Sequence, residues 1–338
     1  MPEVSVAIPV RDGGEPFAEV LRALSRQTVE HELVVCDSGS RDASVRVARS
    51  HGARVLEIAP GQFSHGGVRN RLVAASGGAH VALLTQDALP ADERWLERLL
   101  GGFDLAADVS IVYGPYRPRA SAPLTVRIEL ERWFESLAPD GEPQLERLDA
   151  DERRALRSIA LIGRRGFFSD VNACVARAAW ERVPFRDVPY AEDRVLAIDM
   201  LRAGYAKAFV PQAAVIHSHA YTTSQQLRRS FDEWRGLLEV YGWREPASPA
   251  HLLSRLRGAL GAARGAIAAE QAPGPARAAA LAAVATHQLA SLTGALLGSR
   301  ADRLPPALRR RLSLERRPGF ARAQLDPPPI VTDEGTRR

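Results

Sequence analysis

Val4-Ser5-Val6-Ala7-Ile8-Pro9-Val10, followed by Arg11-Asp12-Gly13-Gly14, decides how the rest of the chain is read. A short, mostly β-branched run closed by a proline and a glycine pair predicts a buried strand that ends in a loop. Residues 16–26 then place Phe17, Val20, Leu21 and Leu24 at helical spacing. Residues 32–36 predict a second strand, 42–51 a helix, 54–58 a third strand, 68–76 a helix closed by Gly77-Gly78, and 80–84 a fourth strand. Strands alternating with helices are βαβ units, so the fold class is α/β with a mostly parallel sheet flanked by helices. Open sheets of this kind bind ligands beyond the carboxyl ends of their strands. Chemistry is therefore expected in the loops after Val10, Cys36, Ile58 and Leu84.

Residues 115–165 differ in texture. Pro115, Pro118 and Pro123 precede an amphipathic stretch around Ile128, Trp133, Phe134 and Leu137, and then the acidic run Asp149-Ala150-Asp151-Glu152. This segment reads as an insertion or flap within a sheet domain spanning 1–225. Ala213-Ala214-Val215-Ile216 reads as a last buried strand. The rest, 226–338, reads as a basic helical extension with its last residues loosely ordered. Leu252, Leu256, Leu260, Ala263 and Ile267 form one apolar stripe, and Leu281, Ala285, Leu289, Leu292 and Leu296 another. Residues 278–298 carry Thr286, His287, Gln288, Ser291 and Thr293, so a bilayer-spanning helix is not expected there.

The 338 residues, 46% hydrophobic and 25% charged, suffice for a sizeable core, which excludes a disordered chain, a collagen-like fibre and a disulfide-stapled miniprotein. The net charge of +5 is unevenly placed: residues 1–225 hold 27 basic and 30 acidic side chains, residues 226–338 hold 18 and 10. A basic tail behind a slightly acidic body suits an anionic lipid surface and argues against a nucleic-acid partner. Two cysteines and no basic, apolar leader before Val4 place the chain in the reducing cytoplasm, peripheral on the inner membrane face if the tail docks there. The apolar stripes could equally pack on the sheet domain or on a second copy, as a homodimer.

Four loops could carry chemistry, each with an ordinary alternative. Asp37-Ser38-Gly39-Ser40 follows the second strand, where a carboxylate can accept from a ribose or base N–H; the plain reading is a turn with a helix cap. Asp87 in Thr85-Gln86-Asp87-Ala88 could hold a divalent cation beside a diphosphate, or form a turn. Phe63-Ser64-His65-Gly66-Gly67-Val68-Arg69-Asn70 suits an anion at a helix amino terminus, or is a glycine turn with Arg69 solvated. Glu192-Asp193 could supply a general base, or complement a helix dipole. His217 and His219, two apart on a strand, point to one side and could reach a metal, or be structural.

In this order the motifs resemble the inverting family-2 glycosyltransferases of GT-A fold, in particular the bacterial rhamnosyltransferase-like branch that builds cell-surface polysaccharides. The resemblance covers about residues 3–222 and also takes in Phe168-Ser169-Asp170-Val171-Asn172. It implies donor contacts at Pro9, Arg11, Asp37, Ser38, Arg69, Asn70 and Gln86, and a catalytic base at Asp193 supported by Glu192. Asp87 matches the last acid of the family's Asp-x-Asp metal motif, whose first acid is here Thr85. In the related polypeptide N-acetylgalactosaminyltransferases a histidine six residues after a proline completes the metal site. Pro211 and His217 have that spacing, which ranks His217 above His219 as a ligand for Mg²⁺ or Mn²⁺.

The implied activity moves a sugar, with rhamnose from dTDP-rhamnose favoured over other UDP- or GDP-sugars, to a hydroxyl of a glycan or lipid-linked acceptor. The alternative is a catalytically silent nucleotide-sugar-binding scaffold. A dinucleotide-dependent oxidoreductase is disfavoured because no Gly-x-Gly-x-x-Gly follows the first strand. A sugar nucleotidyltransferase is disfavoured because the single lysine, Lys207, lies far from any amino-terminal phosphate loop.

Overall fold

The computed structural model describes residues 3–155, 165–188, 190–269 and 274–314. The first half alternates as expected: β1 (Val4–Val10), α1 (Gly14–Leu24), β2 (Glu32–Asp37), α2 (Ser44–Ser50), β3 (Arg54–Glu57), α3 (His65–Ala75) and β4 (His80–Leu84). Next come β5 (Leu89–Pro90), α4 (Trp95–Gly101), β6 (Val109–Tyr113), β7 (Tyr116–Arg117), α5 (Leu124–Leu137), β8 (Gln144–Glu146) and α6 (Ala150–Ala155). They are followed by β9 (Asn172–Ala176), α7 (Arg177–Trp180), α8 (Glu192–Arg202), β10 (Ala206–Phe209) and β11 (Val215–Ile216). The C-terminal region is helical: α9 (Thr223–Tyr241), α10 (Pro249–Ala269), α11 (Gly274–Gly298) and α12 (Pro306–Leu312).

The main sheet has the order β3-β2-β1-β4-β9-β6-β10-β8. Neighbours β3, β2, β1 and β4 are parallel, as are β6 and β10, while β9 runs antiparallel between β4 and β6 and β8 runs antiparallel at the edge. From β1 the chain moves outward through β2 and β3, then returns to the other side of β1 for β4. That reversal opens a crevice at the carboxyl ends of β1 and β4, where ligands of open α/β sheets bind. Alternation along β1 sends Val4, Val6, Ile8 and Val10 into one layer with Phe17 and Leu21 of α1, and Ala7 into the other with Val68 and Leu72 of α3.

Three segments differ from their sequence reading. α3 begins at His65, three residues before the expected start, because Gly66 and Gly67 lie inside its first turn. A Cβ on Gly66 would sit 2.1 Å from the Arg186 carbonyl oxygen, so glycine serves a close backbone approach there rather than a turn. Within the 115–165 segment, β8 pairs with β10 and so extends the main sheet, and α5 packs beside the crevice; residues 156–164 lie outside the described residues. Only Val215 and Ile216 of the last buried run pair, and they do so in a separate three-stranded sheet, β5-β11-β7. This small sheet caps the carboxyl ends of the large one.

In the C-terminal region, a Cβ on Gly294 or Gly298 would meet the carbonyl oxygens of Leu227 and Phe231 at 2.2 and 2.3 Å. α11 therefore lies backbone to backbone on α9. Ala263 and Ile267 of α10 pack with Val284 of α11 and against Leu124 and Ile128 of α5, so parts of both helical stripes are internal. Leu289 remains 53% exposed. Among the described residues α11 is long and apolar enough to cross a membrane by length and composition, yet its second half is seated on α9. The expected looseness after Leu314 falls outside the described residues.

Candidate active site

A cleft of about 1030 Å³ opens at the carboxyl ends of the strands, at the upper end of the range for small-molecule sites. One wall comes from the small sheet. The loop after β4 delivers Asp87 and the end of β11 delivers His217 and His219, whose metal-binding atoms all lie within 4.8 Å of one another. His217 Nε2 is 3.5 Å and His219 Nε2 3.8 Å from Asp87 Oδ2. His217 is held by its backbone N–H on Arg117 O at 2.9 Å, and its buried Nδ1 has no hydrogen-bond partner among the described residues. The ring's polar contact is therefore on the Asp87 side. Burial pushes the Asp87 carboxyl up, but the two imidazoles outweigh it and hold the group well below the usual carboxylate range. Burial and the neighbouring His217 lower the pKa of His219, favouring the neutral ring that a metal needs. A carboxylate oxygen and two imidazole nitrogens so placed fit a divalent cation.

The opposite wall is the amino terminus of α8. Ala191, with φ +61°, turns the chain into the helix in a left-handed conformation unusual for a residue with a Cβ, so local strain is concentrated where Glu192 and Asp193 are presented. Asp193 Oδ1 accepts the Arg194 backbone N–H at 2.7 Å. Burial, and then the charge of Asp170, push the Asp193 carboxyl up to about 7. Burial pushes Glu192 up as well, reinforced by Asp170 and Asp193; its Oε1 lies 3.7 Å from His65 Nδ1.

Between the walls, Arg69 is buried and uses three of its N–H groups. Nε donates to Asp170 Oδ2 at 2.6 Å, Nη2 to Asp170 O at 3.0 Å and Nη1 to Leu84 O at 3.0 Å. The solvated Arg69 of the ordinary reading is absent, and removing either partner of such a buried pair would cost about 3–5 kcal/mol.

Pro9, Arg11, Ser38, Arg69 and Gln86 line the cleft, with the Arg11 backbone N–H donating to Gln86 Oε1 at 2.9 Å. Asp37 lies just behind, its carboxylate accepting the N–H groups of Gly39 at 2.9 Å and Ser40 at 3.1 Å, which is the turn geometry of the plain reading. Asn70 points away from the cleft: its amide binds Phe185 O and N and the Trp180 indole, tying α3 to the segment before α8. Asp170 and Arg194 line the cleft without having been assigned roles in the sequence, as do Arg229 and Glu233 of α9 and His287 of α11. For His287 the available signal was a polar residue interrupting the second apolar stripe. Arg194 Nη2, 3.8 Å from Glu233 Oε1, links α8 to α9.

The glycosyl transferase family 2 model matches residues 5–161. The O-antigen chain rhamnosyltransferase RfbN of Salmonella typhimurium is 30% identical over 237 residues, which cover 68% of this chain and 71% of that protein. The chain belongs to glycosyl transferase family 2. The O-antigen chain rhamnosyltransferase WbaN of Salmonella anatum is 28% identical over 239 residues, 69% of this chain and 71% of that one. Among solved structures, the mannosyltransferase PcManGT from Pyrobaculum calidifontis, in complex with GDP-Man and Mn²⁺, has the same fold, with a TM-score of 0.56 over 89% of this chain and 86% of that chain at 18% identity. This family-2 glycosyltransferase thus has the expected GT-A architecture, with a helical C-terminal region that lines its cleft.

Proposed function

We propose that this glycosyltransferase moves a sugar from a nucleotide-sugar to a hydroxyl of a glycan or lipid-linked acceptor, with inversion, in the synthesis of a cell-surface polysaccharide. Rhamnose from dTDP-rhamnose is the favoured donor, on the similarity to RfbN and WbaN. The observation that carries the reading is that one cleft holds both a carboxylate kept basic, Asp193, and the cluster of Asp87, His217 and His219.

Asp193 takes the proton of the acceptor hydroxyl while that oxygen bonds to the anomeric carbon. The bond from that carbon to the diphosphate oxygen breaks, and its electron pair leaves with the nucleoside diphosphate from the opposite face, so the configuration inverts. Glu192, the neighbouring residue on the first turn of α8, is assigned a supporting role beside Asp193. Asp87, His217 and His219 would hold a divalent cation, which when bound supplies positive charge to the departing diphosphate. The set of two imidazoles and one carboxylate suits Mn²⁺ better than Mg²⁺. Pro9, Arg11, Ser38 and Gln86, with Asp37 shaping their loop, are assigned to the nucleotide. We assign α9 and α11 to the acceptor-side wall, and the positive charge of 226–338 suits the anionic inner face of a membrane carrying a lipid-linked acceptor.

The test is binding and hydrolysis of dTDP-rhamnose, UDP-glucose, UDP-galactose, UDP-N-acetylglucosamine and GDP-mannose by the purified protein, each with Mn²⁺, Mg²⁺ or EDTA. Binding of one donor that EDTA abolishes supports the reading, whereas Mn²⁺-independent binding or none at all counts against it.

A further inference from the structure

The cation cluster is assembled from two chain ends that lie outside the regular ladder of the small sheet. Asp87 stands in the turn after β4, in which the Ala88 N–H donates to Thr85 O at 3.2 Å, and pairing with β11 begins only at Leu89. On the other side the paired residues of β11 end at Ile216. His217 is still tied to β7 by its N–H on Arg117 O at 2.9 Å, whereas Ser218 and His219 run on beyond it. A single residue bridges these two ends. Arg119, two positions past β7, is half-buried. Its Nη2 donates to Asp87 O at 2.8 Å, and its backbone N–H donates at 3.0 Å to Oγ of Ser218, the residue between the two histidines. Ser218 lines the cleft and Arg119 does not, so the arginine grips the cluster from behind the atoms that would bind a cation.

We propose that Arg119 is a positioning residue for the cation site: by holding the Asp87 carbonyl and the Ser218 hydroxyl together, it sets the Asp87 carboxylate and the two imidazoles at the separation a divalent cation requires. The inference rests on the reading of Asp87, His217 and His219 as ligands. Groups that ligate from separate loops must otherwise be ordered at the moment of binding, and the outer partners that orient them are worth about 10–100-fold in metal affinity. With Thr85 in the place of a second acid, the cluster has one carboxylate to attract the ion, so the placement of its three ligands matters more. A positioning role and a purely electrostatic one predict opposite signs. A guanidinium is a positive charge near the cation and by repulsion alone disfavours it, so a neutral residue at 119 would tighten binding. If Arg119 acts by holding the two ends together, the same replacement weakens it.

The test needs no sugar substrate. Mn²⁺ is titrated calorimetrically into the metal-free full chain as wild type, Asp87→Asn, Arg119→Met, Arg119→Gln and Arg119→Lys, and the melting temperature of each is measured without and with Mn²⁺. The metal-free melt shows which variants are folded, and the two neutral replacements at 119 stand in for each other if one folds poorly. The wild type should bind Mn²⁺ and Asp87→Asn should not. Arg119→Met and Arg119→Gln should bind about 10-fold more weakly and show a smaller Mn²⁺-induced rise in melting temperature. Arg119→Lys, which keeps a donor of similar reach, should stay closest to the wild type. Binding as tight as the wild type or tighter in a folded neutral variant overturns the proposal. No binding by the wild type, or undiminished binding by Asp87→Asn, sinks the cation cluster itself, whereas loss in Asp87→Asn with none in the neutral Arg119 variants sinks this inference alone.

Discussion

His217 Nε2 lies 3.5 Å from Asp87 Oδ2, although the two residues are 130 positions apart. The pairing is made by the small sheet, in which β11 runs antiparallel to β5 and so returns His217 to the loop that carries Asp87. Asp87→Asn should therefore weaken Mn²⁺-supported donor binding and lower turnover by about 10²-fold or more, since the charge on the leaving-group side is lost. His217→Ala should act similarly and His219→Ala less, because the His219 side chain is 48% exposed. Calorimetric titration of Mn²⁺ with each variant checks the order.

Asp193→Asn should cut turnover by about 10²–10⁴-fold, the span attributed to a general base. In the wild type, kcat/KM should rise with pH through about 7, as the base loses its proton. The same substitution should raise the melting temperature at pH 8 and change it little near pH 4. Stability-against-pH curves of the two proteins decide this, and parallel curves would contradict the half-buried, proton-holding environment.

Asn172 joins the two sheets. Its side chain donates to Pro115 O at 3.0 Å and Ala213 O at 2.8 Å and accepts from the Trp95 indole at 2.9 Å, with no solvent exposure. Asn172→Leu strands the Trp95 indole N–H and Ala213 O, while Pro115 O keeps the Val215 N–H, and should destabilise by about 3 kcal/mol, at 1–3 kcal/mol for each uncompensated group. Chemical denaturation with an unchanged slope would establish it.

Gly294→Val places a side chain where a Cβ already lies 2.2 Å from Leu227 O. The helices must separate, at a cost of about 1–3 kcal/mol. Because α9 carries Arg229 and Glu233 to the cleft, KM for the acceptor should rise while donor binding stays near normal. An equal loss of both would show that the extension does not form the acceptor wall.

The strands and helices of the amino-terminal half were legible because each is a strong periodic run bounded by glycine or proline. β6 and β10 were not assigned, although both are central to the sheet. Val109-Ser110-Ile111-Val112-Tyr113, closed by Gly114-Pro115, carried a strand signal that went unused, whereas Ala206-Lys207-Ala208-Phe209 contains a lysine, which reads as exposed. In the fold that lysine is buried, with its ammonium on the carbonyls of Arg165 and Phe167 and beside Glu146. Such compensation comes from distant chain and leaves no local trace.

Among the site residues, the motif loops were visible as loops, while their partners were not. The sequence by itself determined the alternating α/β order, the carboxyl-end location of the cleft and the acids and histidines that would face it, because these follow from local periodicity and from where parallel strands end. Only the tertiary structure decided that Arg69 is spent on Asp170, that Asn70 turns to Trp180, that Asp87 meets His217, and that the C-terminal helices close the cleft. Each of these depends on which distant groups exclude water from one another, and the strength of a buried charge or hydrogen bond is set by that enclosure rather than by its neighbours in the chain.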